Sequence, residues 1–285
     1  KRQRRIYAPV GVHQDLLAYL VRRLLENGAN SSFVNQVLDS AIAPEEIAAD
    51  PVSKLRTKKT IPHVNIPLPA EIFSDRENSR GWNINDPVAL EALSNDMETY
   101  RKTKWKFGKG STVTNPSLHS DIVGSFKTAT KAEAEKAVTK SANAFGPWSK
   151  ASANDRVKIL NKTADLYEEN HAELMAIVVR EAGKTRLDAI AEIREAVDFL
   201  RYYAAESKKG EKRTPVGPIV CISPWNFPCA IFTGQIAGAL SAGNTVVAKP
   251  AEQTPLIAEF LTNLFHKAGL PKDALILVQG DGAEV

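Results

Sequence analysis

Three short runs in this chain carry residue types able to do chemistry, and each follows an apolar run. Pro224-Trp225-Asn226-Phe227-Pro228 follows residues 218–223, Lys249-Pro250-Ala251-Glu252 follows 245–248, and Gly280-Asp281-Gly282 follows 274–279. An asparagine amide donates hydrogen bonds and can stabilise an oxyanion formed from a carbonyl. A lysine three residues before a glutamate can hold ribose hydroxyls, the ammonium donating and the carboxylate accepting. Two glycines around an aspartate can let backbone approach a pyrophosphate. Each run also has a plainer alternative. Asn226 could cap a helix beginning near Cys229, Lys249 could extend to solvent, and Gly280 and Gly282 could form an ordinary turn. The common dinucleotide fingerprint GxGxxG is absent and gives no support.

The elements that must position these runs follow from periodicity. Strands at 218–222, 245–249 and 274–279 alternate with helices at 229–242 and 255–268. That alternation predicts a parallel, doubly wound α/β sheet with right-handed crossovers, and such sheets bind ligands outside the carboxyl ends of their strands. Upstream, 112–128 reads as two strands around Asn115-Pro116. Thr130 and Glu133 form a capping box opening a helix through Ala144, and Ser152 to Asp155 opens another. Residues 173–181 are helical and stop at Gly183. A long helix at 187–207 sets Ile190, Ile193, Val197 and Leu200 on one face.

The amino-terminal forty residues have a different pattern. A short strand at 5–10 ends at Gly11, and leucines at 16, 17, 20, 24 and 25 predict a helix over 13–27, followed by a second helical piece at 32–39. One strand and one helix cannot bury their apolar faces alone, so this segment reads as the last βα unit of a larger body. Tyr19, Arg22, Arg23 and Glu26 share the face opposite the leucines. They form either a solvated face or an arginine pair that clamps a carboxylate. Between the two regions, prolines at 44, 51, 62, 67, 69 and 87 punctuate a connector with one short helix at 87–100. Its Ile66-Pro67-Leu68-Pro69 suggests an extended crossing. The expected division is 1–40, 41–110 and 111–285.

Composition narrows the function classes. The 285 residues are 43% hydrophobic and 25% charged, as in globular proteins. Basic clusters at 1–5, 56–59 and 101–109 sit in a chain of 37 basic and 33 acidic residues, and none adjoins a nucleic-acid-binding motif. They read as solvated faces and linkers. The two cysteines, Cys221 and Cys229, have neither disulfide-framework nor metal-site spacing and suit a reducing cytoplasm. No metal site is expected, and both thiols read as packing residues. No run is long and apolar enough to span a bilayer, and the basic start does not lead into a signal-peptide core.

The stretch 215–255 resembles the NAD(P)-dependent aldehyde dehydrogenase superfamily. The resemblance implies that Asn226 is the oxyanion-hole amide and that Lys249 and Glu252 bind the adenosine ribose. It also implies that Ile222, Ser223, Pro224 and Trp225 line the cofactor cleft. The superfamily's cysteine nucleophile and glutamate base would then lie downstream of Val285. The runs 5–11 and 19–30 resemble the final strand and helix of the proline dehydrogenase (βα)8 barrel. That resemblance makes Tyr7, Tyr19, Arg22 and Arg23 substrate-binding residues, with Arg23 and Glu26 near the flavin. The two in this order, with Glu77-Asn78-Ser79 in the connector, are similar to the bifunctional proline utilization A family. The resemblance implies FAD and NAD as cofactors, and L-proline and glutamate semialdehyde as substrates. It further implies the rest of a parent polypeptide as partner, and a cytoplasmic homo-oligomer; peripheral membrane association of the parent stays open. As an internal fragment, the chain alone is expected to be inactive. Two alternatives remain, a non-catalytic nucleotide-binding remnant and an aldehyde dehydrogenase with an unrelated amino-terminal extension.

Overall fold

A computed structural model describes residues 10–28, 32–60, 63–209, 214–283 and 285. By internal contacts the chain divides into two units, Lys1–Ile66 and Pro67–Val285.

In the first unit, the leucine pattern forms helix α1 (His13–Gly28). Its apolar stripe is open: Leu17, Leu20, Val21, Leu24 and Leu25 are all exposed. Helix α2 (Phe33–Leu38) starts where Ser32 accepts a hydrogen bond from the Asn35 amide. Two short helices, α3 (Pro44–Ile47) and α4 (Pro51–Arg56), occupy the proline-punctuated stretch that shows no sustained period in sequence. Both begin with proline, whose missing N–H is harmless in the first turn. Asp50 caps α4 by accepting from the Val52 and Ser53 amides at 3.0 and 3.1 Å. The expected strand at 5–10, and Tyr7 with it, lie outside the described residues.

The second unit takes in the later half of the connector. The Ser79 amide donates to Asp198 at 2.6 Å, the Arg80 amide to Glu168 at 3.0 Å, and Arg201 to the Asn78 carbonyl at 2.9 Å. These bonds hold 78–80 against the helical layer rather than crossing free of it. Leu68 is extended, and a 3-10 turn (Pro69–Glu71) begins at the last residue of the expected crossing; helix α5 (Pro87–Glu98) buries Leu93 and Met97.

Strands β1 (Trp105–Lys106), β2 (Ser111–Asn115) and β3 (Leu118–Phe126) form a small sheet in the order β1-β3-β2. A Cβ on Gly124 would stand 2.3 Å from the Trp105 carbonyl oxygen, so only glycine fits this crossing. The helices that follow are α6 (Lys131–Lys150), α7 (Ala153–Glu169), α8 (His171–Ala182) and α9 (Arg186–Lys208). The capping box at Thr130 and Glu133 forms as read. Helix α6 runs past Pro147 and past the expected end at Ala144. The last turn carries Trp148, 5% exposed, and burying that indole offsets the lost N–H of the proline. Gly183 stops α8 in the left-handed conformation at φ 67°. Tyr167, Leu174, Ile177, Ile193 and Leu200 are fully buried and form the centre of the unit.

The large sheet is the predicted one. Strands β4 (Pro218–Ile222), β5 (Thr245–Lys249) and β6 (Leu275–Leu277) are all parallel in the order β4-β5-β6, with Ile222 level with Lys249. Helices α10 (Ala230–Ser241) and α11 (Pro255–Lys267) make the connections. Val246 and Ala248 of β5 join the core of these helices, while Val247 packs with Ala137 of α6 and Val278 on the other face. Helices on both faces make this a doubly wound α/β sheet. Strand β6 is shorter than its expected 274–279: a 3-10 turn (Lys272–Ala274) takes its first residue, and the strand ends at Leu277.

Candidate cofactor-binding and active site

Parallel pairing brings the three chemistry-bearing runs to one edge. The Ser223 amide donates to the Lys249 carbonyl at 3.1 Å, extending β4–β5 pairing to the start of the Pro224–Pro228 turn. One strand further, the Val278 amide donates to the Ala248 carbonyl at 2.9 Å and carries the third run alongside the second.

Lys249 does not extend to solvent. Its ammonium lies 2.5 Å from Glu252 Oε1 and 3.3 Å from the Pro250 carbonyl, with the lysine side chain 12% exposed. That ammonium, together with backbone N–H groups including that of Gly282, holds the Glu252 carboxyl below the usual carboxylate range. Gly282 lies against the pair: a Cβ there would be 3.7 Å from Glu252 Oε1 and 3.9 Å from Lys249 Nζ. Neither Gly280 nor Gly282 has positive φ, so neither sits in a left-handed turn. Beside the pair opens a cleft of about 490 Å³, with Val138, Val220, Ile222 and Val247 as its apolar wall and Lys131, Glu135 and Lys249 as its polar groups. An apolar wall, one donor–acceptor pair and a glycine turn are a donor set that fits a dinucleotide.

Asn226 is exposed, as are Trp225 and Phe227, while Ser223 is buried and Pro224 half-buried. Asn226 does not cap the following helix: α10 has Cys229 as its N-cap, with no side-chain cap bond. The cap comes from elsewhere. Glu192 Oε2 on α9 accepts from the Cys229 and Ala230 amides at 3.1 and 2.8 Å. Glu181 on α8 does the same for α11, accepting from the Leu256 and Ile257 amides at 2.7 and 2.9 Å. Burial pushes the Glu181 carboxyl up to about 8, against those two hydrogen bonds. The sequence reading overlooked both carboxylates. In one dimension each is a glutamate among the charges of a long helix, and only burial marks it.

Both thiols are free and buried. Burial pushes Cys221 up to about 11 and Cys229 well above the ordinary thiol range. Among the described residues no group of three or more histidine, cysteine, aspartate or glutamate side chains could hold a metal ion, and no helix is long and apolar enough to cross a membrane.

In the first unit, Tyr19, Arg22 and Arg23 share α1, with the Arg23 guanidinium 5.5 Å from the Tyr19 ring centre. Glu26 falls within α1, but its side chain lies outside the described residues.

Known proteins give the same two-part pattern. The family model described as the aldehyde dehydrogenase family matches residues 105–285, and the proline dehydrogenase model matches residues 1–36. The bifunctional protein PutA of Klebsiella aerogenes is 46% identical over 99% of this chain, and that of Rhizobium meliloti 46% identical over 98%. The 1-pyrroline-5-carboxylate dehydrogenase 1 of Halalkalibacterium halodurans is 39% identical over 60% of the chain and 36% of its own length. A solved proline utilization A from Bdellovibrio bacteriovorus superposes with a TM-score of 0.76 at 31% identity, covering 98% of this chain and 31% of that one. The chain spans 23% of the length of the Klebsiella aerogenes relative and 24% of the Rhizobium meliloti one.

Proposed function

This chain belongs to the aldehyde dehydrogenase family, and from that premise we propose that it is part of a bifunctional enzyme of proline catabolism. The observation that carries the reading is the order of parts: a stretch matching the proline dehydrogenase family, a connector, and then a doubly wound unit with its polar runs at one strand edge. The proposed division is 1–40, 41–110 and 111–285. The parent oxidises L-proline to pyrroline-5-carboxylate, a two-electron oxidation for which FAD would be the acceptor. Water opens the product to glutamate semialdehyde, which the second site oxidises to glutamate.

In that second site NAD, when bound, supplies the hydride acceptor. Lys249 Nζ donates to a ribose hydroxyl, and Glu252 accepts from one. Ile222, Ser223, Pro224 and Trp225 line the cleft, and the Gly280–Gly282 turn lets backbone approach the phosphates. Asn226 turns its amide to the aldehyde oxygen and donates to it as negative charge develops. By the family resemblance, the thiolate nucleophile and glutamate base come from a part of the parent outside these residues, and the buried Cys221 and Cys229 are packing residues. In the first site Tyr7, Tyr19, Arg22 and Arg23 hold the proline carboxylate, the guanidinium pair in bidentate fashion. FAD, when bound near Arg23 and Glu26, supplies the electron acceptor there. The parent acts in the cytoplasm as a homo-oligomer.

The test is made on the parent protein. It should show a flavin spectrum, reduce a dye with L-proline, and reduce NAD with pyrroline-5-carboxylate. Lys249→Ala and Glu252→Gln should each weaken NAD binding roughly tenfold, the loss of one charge-assisted hydrogen bond. A protein with neither flavin nor NAD-dependent activity overturns the reading and leaves a nucleotide-binding remnant in its place.

A further inference from the structure

We infer that Glu192 and Lys184 are positioning residues for the Pro224–Pro228 turn, fixing where Asn226 points; the inference rests on the function proposed above. The five-residue turn is held at both ends by bonds that do not involve Asn226. At its start the Ser223 amide is tied to β5. At its end the first two amides of α10 are tied to Glu192, whose side chain is 1% exposed. The positive end of the helix dipole adds to that attachment.

Lys184 links this anchor to the turn itself. Its ammonium lies 2.9 Å from Glu192 Oε1, a close charge pair without aligned hydrogen-bond geometry, and 4.7 Å from the centre of the Phe227 ring. Phe227 directly follows Asn226 and is 40% exposed, so burial restrains its ring only in part and the cation–π contact adds to that restraint. Lys184 therefore ties the residue beside Asn226 to a carboxylate on α9. That helix is anchored by the fully buried Ile193, Val197 and Leu200. An amide aimed at a developing oxyanion must be held to a fraction of an ångström, and this chain of contacts supplies the constraint.

The adjoining residues do not offer a competing anchor for Lys184. Glu195, one turn along α9, has its carboxyl pushed up by burial and by the neighbouring Glu192 and Asp198 charges, and Lys184 only partly counters this. The contact partner at bonding distance is Glu192.

The experiment has two arms. In the parent enzyme, Lys184→Met and Glu192→Gln should lower kcat for NAD-dependent aldehyde oxidation by roughly tenfold or more, the scale set by a misplaced oxyanion donor. The KM for NAD should change by much less than kcat, because Lys249 and Glu252 lie outside the turn and pair with each other, and of the cleft residues only Pro224 and Trp225 lie within it. Lys184→Arg should restore most of the rate, since it keeps both the charge and the ring contact. In the 285-residue chain, acrylamide quenching of Trp225, isolated by difference against Trp225→Phe, should rise in Lys184→Met and Glu192→Gln. Unchanged kcat with unchanged quenching overturns the inference. So does a joint loss of kcat, NAD affinity and thermal stability, which would make the pair a general structural support. A wild-type parent that reduces no NAD removes the functional reading instead, and the quenching arm still decides whether the turn is clamped.

Discussion

Glu181 should make the second unit lose stability as pH rises, and Glu181→Gln should remove that loss. The carboxyl is fully buried, and its folded-state value is about 8 against 4.5 for the free group. Between those values the folded state holds a proton that the unfolded state has released. Stability from this group is therefore fully present below about 4.5 and is lost as pH rises through about 8. At about 1.4 kcal/mol per pH unit the shift sets an upper bound of roughly 5 kcal/mol, and a realised change of a few kcal/mol is expected once the interior relaxes. The substituted carboxamide would not titrate, but its NH2 would face one of the Leu256 and Ile257 amides, costing about 1–2 kcal/mol at any pH. The two proteins should therefore exchange order: wild type more stable at pH 5, the variant more stable above pH 8. All four tryptophans, at 82, 105, 148 and 225, lie in the second unit, so urea unfolding followed by their fluorescence reports on that unit. Parallel stability curves from pH 5 to 9 would refute the argument and show that Glu181 is not held protonated by its burial.

Gly124→Ala should destabilise the second unit by about 2 kcal/mol or more, because the new methyl would overlap the Trp105 carbonyl and approach Leu256 to 2.8 Å. A urea midpoint equal to wild type would show that β1 can move aside at little cost. Cys221 and Cys229 should resist a thiol-alkylating reagent at pH 7.5 in the folded chain and react fully in denaturant. Rapid labelling of the native chain would contradict their burial.

The large sheet was legible in sequence because its signals are local. Apolar runs that stop at proline, lysine or glycine mark strand ends, and the return helices fall between them. Since parallel strands point the same way, the three polar runs had to meet on one edge, which register confirmed at Ser223 and Lys249. The same logic put Ile190, Ile193, Val197 and Leu200 on one buried face of α9.

Other features depended on contacts distant in sequence. Whether Asn226 capped α10 could not be read from its neighbours, because the acceptor is Glu192, 37 residues away from Cys229. Glu181 and the Leu256 amide are 75 residues apart. Helix α6 continues past Pro147 into a turn that buries Trp148, a packing site formed by distant elements. The sequence by itself determined the ends of β4 and β5, the capped starts of α6 and α7 and the residue types delivered to the site, since these follow from propensity, capping and period. The tertiary structure alone decided which carboxylates lose their water and which helix ends they satisfy. Desolvation and hydrogen-bond partnership are properties of the packed interior, to which no short window of sequence has access.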